Sequence, residues 1–192
     1  MDFSEVDRRA IAATGRIIEG LGAADWGRPT PCSGWAVRDV VAHLIGNNEN
    51  FGAQAAGRTP PSPVERPDHA LAGAYAESAA RYLEDFAGEG ALERRIVLGE
   101  FGTFPGSVTA GVHFVDVLVH GWDLGQALGL DYLPEDDLAL PALAFAERYP
   151  DAAPVRGPGG AFAYPVEVPE DARPGERLIA LLGRPIRTVP TR

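Results

Sequence analysis

Cysteine and positive charge are both scarce in this chain. Its 192 residues include one cysteine, Cys32, so an internal disulfide bond is excluded. A chain without disulfides fits a reducing compartment. The 17 Lys and Arg residues stand against 27 Asp and Glu residues, which gives a formal net charge of −10. This balance argues against a nucleic-acid partner or an anionic membrane surface, because both attract clustered positive charge.

Long apolar runs are also missing. No run approaches the roughly 20 residues that a membrane-spanning helix needs. The first residues, MDFSEVDRRAIAA, lack the basic-then-apolar order of a signal peptide. Hydrophobic residues still make up 45% of the chain, which is typical of a folded globular protein. We therefore expect an acidic, cytoplasmic protein whose partner is a small molecule, with no nucleic acid and no membrane.

Hydrophobic spacing predicts four long helices, over residues 4–21, 33–56, 68–87 and 107–129. Ser4 and Asp7 have the spacing of a capping box at the start of the first helix. A short strand over 95–98, a turn over 99–105 and smaller helices over 134–149 and 177–182 complete the pattern, with Pro141 as a potential break. We predict an all-α core, an up-and-down four-helix bundle over 1–150, and a small irregular C-terminal cap over 151–192 that packs on the bundle.

The fourth predicted helix carries an unexpected polar stripe. At 100° per residue, four ionisable residues fall within a sector about 80° wide: His113, Asp116, His120 and Asp123. Most of their neighbours are apolar or small, which indicates a helix buried nearly all round. Buried ionisable groups need mutual partners, a metal ion or a water-filled cavity. The stripe is therefore the candidate functional centre.

A metal ion is one explanation of the stripe. Asp116 and His120 lie one helical turn apart, a spacing that suits shared coordination of one ion. A third ligand from a facing helix would complete a site with open positions, and His43 is the candidate on the second helix. Such an ion would lower the pKa of a bound water or thiol and create a nucleophile. His113 and Asp123 are then candidates for orienting the ligands or for acid–base catalysis.

A purely structural explanation stays open beside it, in which the stripe residues only hydrogen-bond one another inside the bundle. Cys32 likewise has two interpretations, a reactive thiol near the site or a small buried hydrophobe. The three tryptophans are predicted to belong to the core: Trp26, Trp35 and Trp122.

Three segments have a familiar sequence. They read TPCSGWAVRDVVAHL over 30–44, DVLVHGWDL over 116–124 and LLGR over 181–184. Together they resemble the mycothiol-dependent maleylpyruvate isomerase family, an actinobacterial branch of the DinB/YfiT-like metalloproteins. The resemblance implies an up-and-down four-helix bundle with a three-ligand metal site, usually zinc or nickel. Carried over by motif, the ligands are His43, Asp116 and His120.

Two features depart from the family pattern. The characterised isomerase branch has Glu-x-x-x-His in the second motif, whereas this chain has Asp116-x-x-x-His120. Larger members also carry an added C-terminal domain that helps to form the active-site cleft, and the C-terminal region here is short. The shorter carboxylate makes Asp116 the ligand with the greatest departure from the pattern.

The resemblance implies an enzyme that activates mycothiol at a divalent metal ion, for isomerisation or S-transfer. Zinc is the expected metal, nickel is the alternative, and mycothiol is the expected co-substrate. Two alternatives stay open: a non-catalytic metal- or small-ligand-binding module of the same fold, and metal-assisted hydrolysis without a thiol. Bundles of this kind often pair through helix faces, so a homodimer is a further expectation.

Overall fold

The computed structural model describes residues 3–186. Its contacts divide the chain into two compact units, and the division falls between Tyr132 and Leu133. It therefore precedes the domain boundary predicted after residue 150. Each unit is described in turn.

The first unit is a bundle of four helices. Helix α1 packs against α3 and α4, and α2 packs against the same two, so the order around the bundle is α1, α3, α2, α4. This confirms the predicted all-α four-helix core. The helix bounds are α1 (Ser4–Glu19), α2 (Val37–Ala55), α3 (Asp68–Phe86) and α4 (Gly106–Leu128).

Helix α2 begins later than predicted because the preceding residues form a folded loop. Pro29 and Ala36 pair as an isolated antiparallel bridge. Inside it, the Thr30 backbone N–H donates to the Trp35 carbonyl over 3.0 Å. The Asp39 carboxylate then accepts the Ala36 backbone N–H over 2.8 Å and satisfies a donor at the start of α2.

A glycine sets the close approach of α1 to α4. A Cβ atom placed on Gly121 would lie 2.4 Å from the Thr14 hydroxyl oxygen. That hydroxyl donates to the Val117 carbonyl over 3.1 Å, so the threonine is held in place. Any side chain at this position would force the two helices apart. This contact between α1 and α4 holds α4 in place at Gly121, the residue that follows His120.

A two-stranded hairpin packs on α2 and α4. Strands β1 (Arg95–Val97) and β2 (Thr103–Pro105) are antiparallel, with Ile96 opposite Phe104, and a short 3-10 helix lies between them. The sequence predicted only the first strand. The second lies within residues 99–105, which were predicted to form a turn.

The predicted capping box at the start of α1 is wrong. Phe3 is the N-cap residue and provides no side-chain cap, while Ser4 is already helical. The Asp7 carboxylate is buried and bonds to His113 and Tyr82 instead. Because a buried carboxylate needs hydrogen-bonding partners, the side chains of His113 and Tyr82 engage Asp7 in the core.

The second unit contains α5 (Asp136–Ala146) and α6 (Pro174–Leu181), which pack against each other. Pro141 lies inside α5 without ending it, although a proline there removes one backbone hydrogen bond. Helix α6 begins earlier than predicted because the Glu176 carboxylate accepts the Arg173 backbone N–H over 2.8 Å. Among the described residues, no helix combines the length and the apolar character needed to cross a bilayer.

Candidate metal centre

Two helices bring the three predicted ligands together. His43 projects from α2, and Asp116 and His120 project from α4 one turn apart. The Asp116 carboxylate lies between the imidazoles, with Oδ2 3.1 Å from His43 Nε2 and Oδ1 3.4 Å from His120 Nε2. One donor atom from each residue lies within 4.8 Å of the others. We call these three residues the open cluster.

The donors of the open cluster fit a divalent cation. Ligand atoms about 2.1 Å from a tetrahedral zinc ion are separated from each other by roughly 3.4 Å. Measured to a single carboxylate oxygen, Asp116 Oδ1, the separations from His43 Nε2 and His120 Nε2 are 3.5 and 3.4 Å, close to this value. Two imidazoles and one carboxylate are also a donor set that catalytic zinc sites use, with the fourth position open. The geometry is therefore compatible with a metal site that accepts an additional ligand.

Exposure falls steadily across the open cluster. The side chain of His43 is 31% exposed, that of Asp116 is 15% exposed and that of His120 is 6% exposed. The His120 side therefore lies against the protein interior, and the His43 side is accessible to solvent and to a small molecule.

Mutual electrostatics shift the pKa values of Asp116 and His120, the two open-cluster residues on α4. Burial alone would raise the pKa of the Asp116 carboxyl, but the neighbouring imidazoles of His43 and His120 outweigh it and hold that pKa well below 3.8. Burial would lower the pKa of His120, but the carboxylates of Asp116 and Asp123 raise it to about 9. Without a metal ion, the His120 imidazole therefore carries an extra proton at neutral pH.

Asn47 is a part of the site that the sequence analysis missed. Its amide N–H donates to Asp116 Oδ2 over 3.0 Å, and the same nitrogen lies 3.0 Å from His43 Nε2. Asn47 follows His43 by one helical turn on α2, which places both side chains on the same face. This four-residue spacing is the sequence signal that could have identified Asn47 as part of the site. The amide fixes the orientation of the carboxylate between the two imidazoles.

Asp123 lies behind His120, on the side away from Asp116. Its Oδ2 atom is 3.0 Å from His120 Nδ1, and its side chain is fully buried. When the Nδ1–H donates to this carboxylate, the Nε2 atom is the one left to face Asp116 and a metal ion. Asp123 is therefore suited to orienting the imidazole, one of the two roles predicted for it.

Trp35 covers the two imidazoles and does not belong to the core as predicted. Its ring centroid lies 5.0 Å from that of His43 and 5.8 Å from that of His120, nearly parallel to the latter. The indole is half-buried, whereas Trp26 and Trp122 are buried as predicted. The folded loop that precedes α2 therefore contributes an aromatic wall to the site.

His113 belongs to a different, fully buried group of side chains. Its Nδ1 atom lies 2.9 Å from Asp7 Oδ1, and its Nε2 atom lies 2.8 Å from Asn48 Oδ1. Tyr82 stacks on the imidazole at 3.9 Å and donates its hydroxyl to Asp7 over 2.8 Å. Together with Ser78, which bonds to Asn48, we call these residues the closed cluster.

The hydrogen bonds of the closed cluster determine its proton positions. The Ser78 hydroxyl donates to the Tyr75 carbonyl, so its oxygen accepts the Asn48 amide N–H, each over 3.0 Å. The Asn48 carbonyl oxygen then faces His113 and accepts a hydrogen bond from the Nε2–H group. The second ring nitrogen faces the Asp7 carboxylate. Both nitrogens of His113 are thus engaged by protein groups, and the polar stripe of α4 serves two separate clusters.

Comparison with known proteins agrees with this architecture. A protein family described as the mycothiol maleylpyruvate isomerase N-terminal domain matches residues 8–125. Two uncharacterised proteins of Mycobacterium tuberculosis, MT0763 from strain CDC 1551 and Rv0738 from strain H37Rv, are each 37% identical over 187 residues. Those alignments cover 97% of this chain and 100% of each relative.

Solved structures are similar in fold. The crystal structure of a mycothiol-dependent maleylpyruvate isomerase superposes with a TM-score of 0.60 at 20% identity, and a histidine-to-alanine mutant of that enzyme gives 0.58 at 19%. The match covers 74% of this chain but 65% of the isomerase, so about a third of that enzyme lies outside the match. The fold and the family match together lead to one assignment: the chain belongs to the mycothiol maleylpyruvate isomerase family, through the N-terminal domain of that family.

Proposed function

We propose that the chain binds a divalent metal ion through His43, Asp116 and His120 and activates mycothiol there, for an isomerisation or an S-transfer reaction. The observation that carries the proposal is the convergence of the three donors at a partly exposed position, with separations close to those of zinc ligands. Zinc is the proposed ion, because two imidazoles and a carboxylate are ligands that it prefers, and nickel is the alternative.

The residues around the open cluster support this chemistry in defined ways. When bound, the ion would lower the pKa of an incoming thiol, so that the thiol reacts as a thiolate near neutral pH. Asn47 holds the Asp116 carboxylate, and Asp123 holds the Nδ1 proton of His120. The half-buried Trp35 ring shields one side of the imidazoles from water.

The proposed reaction begins with addition of the thiol across an electrophilic double bond of the substrate. A carbon–sulfur bond forms at one carbon and a proton adds to its neighbour. In an isomerase, the new single bond rotates before the sulfur and the proton leave and the double bond re-forms. In a transferase, the adduct is the product. His113 is not included among the catalytic groups, because both of its ring nitrogens are engaged in the closed cluster.

A non-catalytic metal- or ligand-binding module is the second candidate, and the extent of the match favours it, because about a third of the solved isomerase lies outside the match. The contacts of Asp116 with both imidazoles and with Asn47 fit the purely structural explanation, a hydrogen-bond network without a metal ion. Metal-assisted hydrolysis would proceed without a thiol. Cytoplasmic localisation and homodimer formation stay predictions from the sequence.

The test is turnover by the purified full chain with maleylpyruvate and with a panel of electrophiles, each with and without mycothiol. The proposal requires a rate that needs both mycothiol and the metal ion, and that is lost in Asp116→Ala. His69→Ala is the matched control, because His69 is an exposed histidine on α3 and should leave the rate unchanged. A metal-loaded protein that is inactive across the panel would favour the binding module. Turnover without mycothiol would favour hydrolysis.

A further inference from the structure

A second group of metal-binding side chains lies on the opposite side of His120. The Cys32 thiol, a ring nitrogen of His120 and a carboxylate oxygen of Asp123 all lie within 4.8 Å of one another. Within His120, Nδ1 is the atom that faces Asp123, at 3.0 Å, while Nε2 faces the open cluster. The two groups of donors therefore share one imidazole through different nitrogens.

The loop holds Cys32 in place beside this imidazole. The Trp35 backbone N–H donates to the Cys32 carbonyl over 3.0 Å, and the Thr30 hydroxyl oxygen accepts the Cys32 backbone N–H over 3.2 Å. The Trp35 ring from the same loop stacks over His120. The thiol is thus presented by a loop whose backbone is fixed on both sides of it, so little order would have to be created on binding a cation.

Charge and donor type indicate which cation the group would take. A thiolate, a carboxylate and a neutral imidazole carry two negative charges, which balance a divalent ion, whereas the open cluster carries one. Sulfur ligands favour thiophilic ions such as zinc, cobalt and cadmium over magnesium and calcium. Asp123 and His120 are buried and Cys32 is half-buried, so one side of the group is accessible.

We propose that Cys32, His120 and Asp123 form a second cation site, specific for thiophilic divalent ions. An ion at Nδ1 displaces the Nδ1 proton to solvent and so removes the hydrogen bond to Asp123 that orients His120. The neutral imidazole then keeps its proton on Nε2, which cannot bind an ion in the open cluster. Filling the second site therefore weakens metal binding by the open cluster. The second site shares His120 with the open cluster but does not require catalysis, and only the weakening of the open cluster rests on the proposed function.

The single cysteine makes the experiment unambiguous. The metal-free full chain is titrated with Co²⁺ or Cd²⁺ in a thiol-free buffer, and the near-ultraviolet charge-transfer absorption of a metal–thiolate bond is recorded. Only Cys32 can produce that absorption, because the sequence has no other cysteine. We expect saturable absorption in the wild type and in His43→Ala, and its loss in Cys32→Ser and in Asp123→Ala. Circular dichroism establishes that each variant is folded.

Three results would overturn the proposal. The first is bound metal in the wild type, measured by mass spectrometry, without thiolate absorption. The second is loss of the absorption in His43→Ala, which would assign the thiolate to the open cluster. The third is full absorption in Asp123→Ala, which would remove the carboxylate from the site. Each result is read without an activity assay and is independent of whether mycothiol is a substrate.

Discussion

The open and closed clusters both draw on α4 and both combine histidine with carboxylate, but their surroundings differ. In the closed cluster, His113 is fully buried and its two nitrogens meet Asp7 and Asn48. In the open cluster, His43 is 31% exposed. One donor atom from each of the three residues lies within 4.8 Å of the others, an arrangement that suits a shared cation. The same residue types therefore serve two purposes.

This difference shows which property separates structure from function. A buried polar group with all its hydrogen bonds satisfied by the protein has no capacity left for a ligand. A converging group of donors at the edge of the core, with one side accessible to solvent, can exchange its protons for a cation. Exposure and remaining ligand capacity, rather than the presence of histidine and aspartate, distinguish the two clusters.

The largest expected effect is on stability, when the closed cluster is broken. Asp7→Ala leaves His113 without its buried anionic partner, and removal of one partner of a buried pair costs about 3–5 kcal/mol of unfolding free energy. Chemical denaturation of metal-free protein measures this loss. Asp116→Ala is the control, and its loss should be much smaller because His43 is partly exposed and the buried His120 keeps Asp123 as a partner. Equal losses in the two variants would remove the distinction between the clusters.

The next effect is on metal affinity, when the orientation of His120 is lost. Asp123→Ala removes the acceptor of the Nδ1 proton, and such changes next to a metal ligand reduce affinity by about 10- to 100-fold. Zinc affinity is measured by competition with a chromophoric chelator in the Cys32→Ser background, which lacks the thiolate of the proposed second site. Glu77→Ala, an exposed carboxylate on α3, is the control and should bind zinc like Cys32→Ser alone. An unchanged affinity in Asp123→Ala would mean that His120 needs no support from it.

The effect of pH is gradual, about tenfold in affinity for each pH unit, and its sign follows from His120. Its pKa of about 9 means that a metal ion must displace a proton below that pH. Zinc affinity should therefore rise by about tenfold per pH unit from 7 to 9 and then level off. The stability of the metal-free chain changes in the opposite direction. The raised pKa stabilises the fold fully below about 6.5, and that contribution is lost as the pH rises through 9. A zinc affinity independent of pH between 7 and 9 would contradict this protonation state.

The sequence predicted those features that depend on local spacing. The four helices follow from hydrophobic periodicity, and the spacing of Asp116 and His120 places them on one helical face. The edge position of His43 on α2 was likewise visible in the pattern. The convergence of these three side chains in the structure agrees with that spacing, and their role as ligands stays a proposal.

The features that the sequence analysis missed depend on tertiary contacts. Asp7 was assigned to a cap because local spacing favours it, yet its partners come from α3 and α4. Trp35 was assigned to the core because tryptophan is usually buried, yet a loop places it over two imidazoles. Helical periodicity also placed His113 and Asp116 on the same face of α4. In the structure their partners on the neighbouring helices differ, so the two side chains belong to different clusters.

The most direct test of the open cluster is its metal content. Protein purified without a His tag and incubated with Zn²⁺ is analysed by mass spectrometry for Cys32→Ser, which lacks the thiolate of the proposed second site, and for His43→Ala and His120→Ala made in that background. His69→Ala in the same background provides the control for loss of a surface histidine. We predict one equivalent of zinc in Cys32→Ser and in the His69→Ala control, and its loss in both other variants. No bound metal in Cys32→Ser after incubation with Zn²⁺ or Ni²⁺, or undiminished metal in the His43→Ala and His120→Ala variants, would contradict the account.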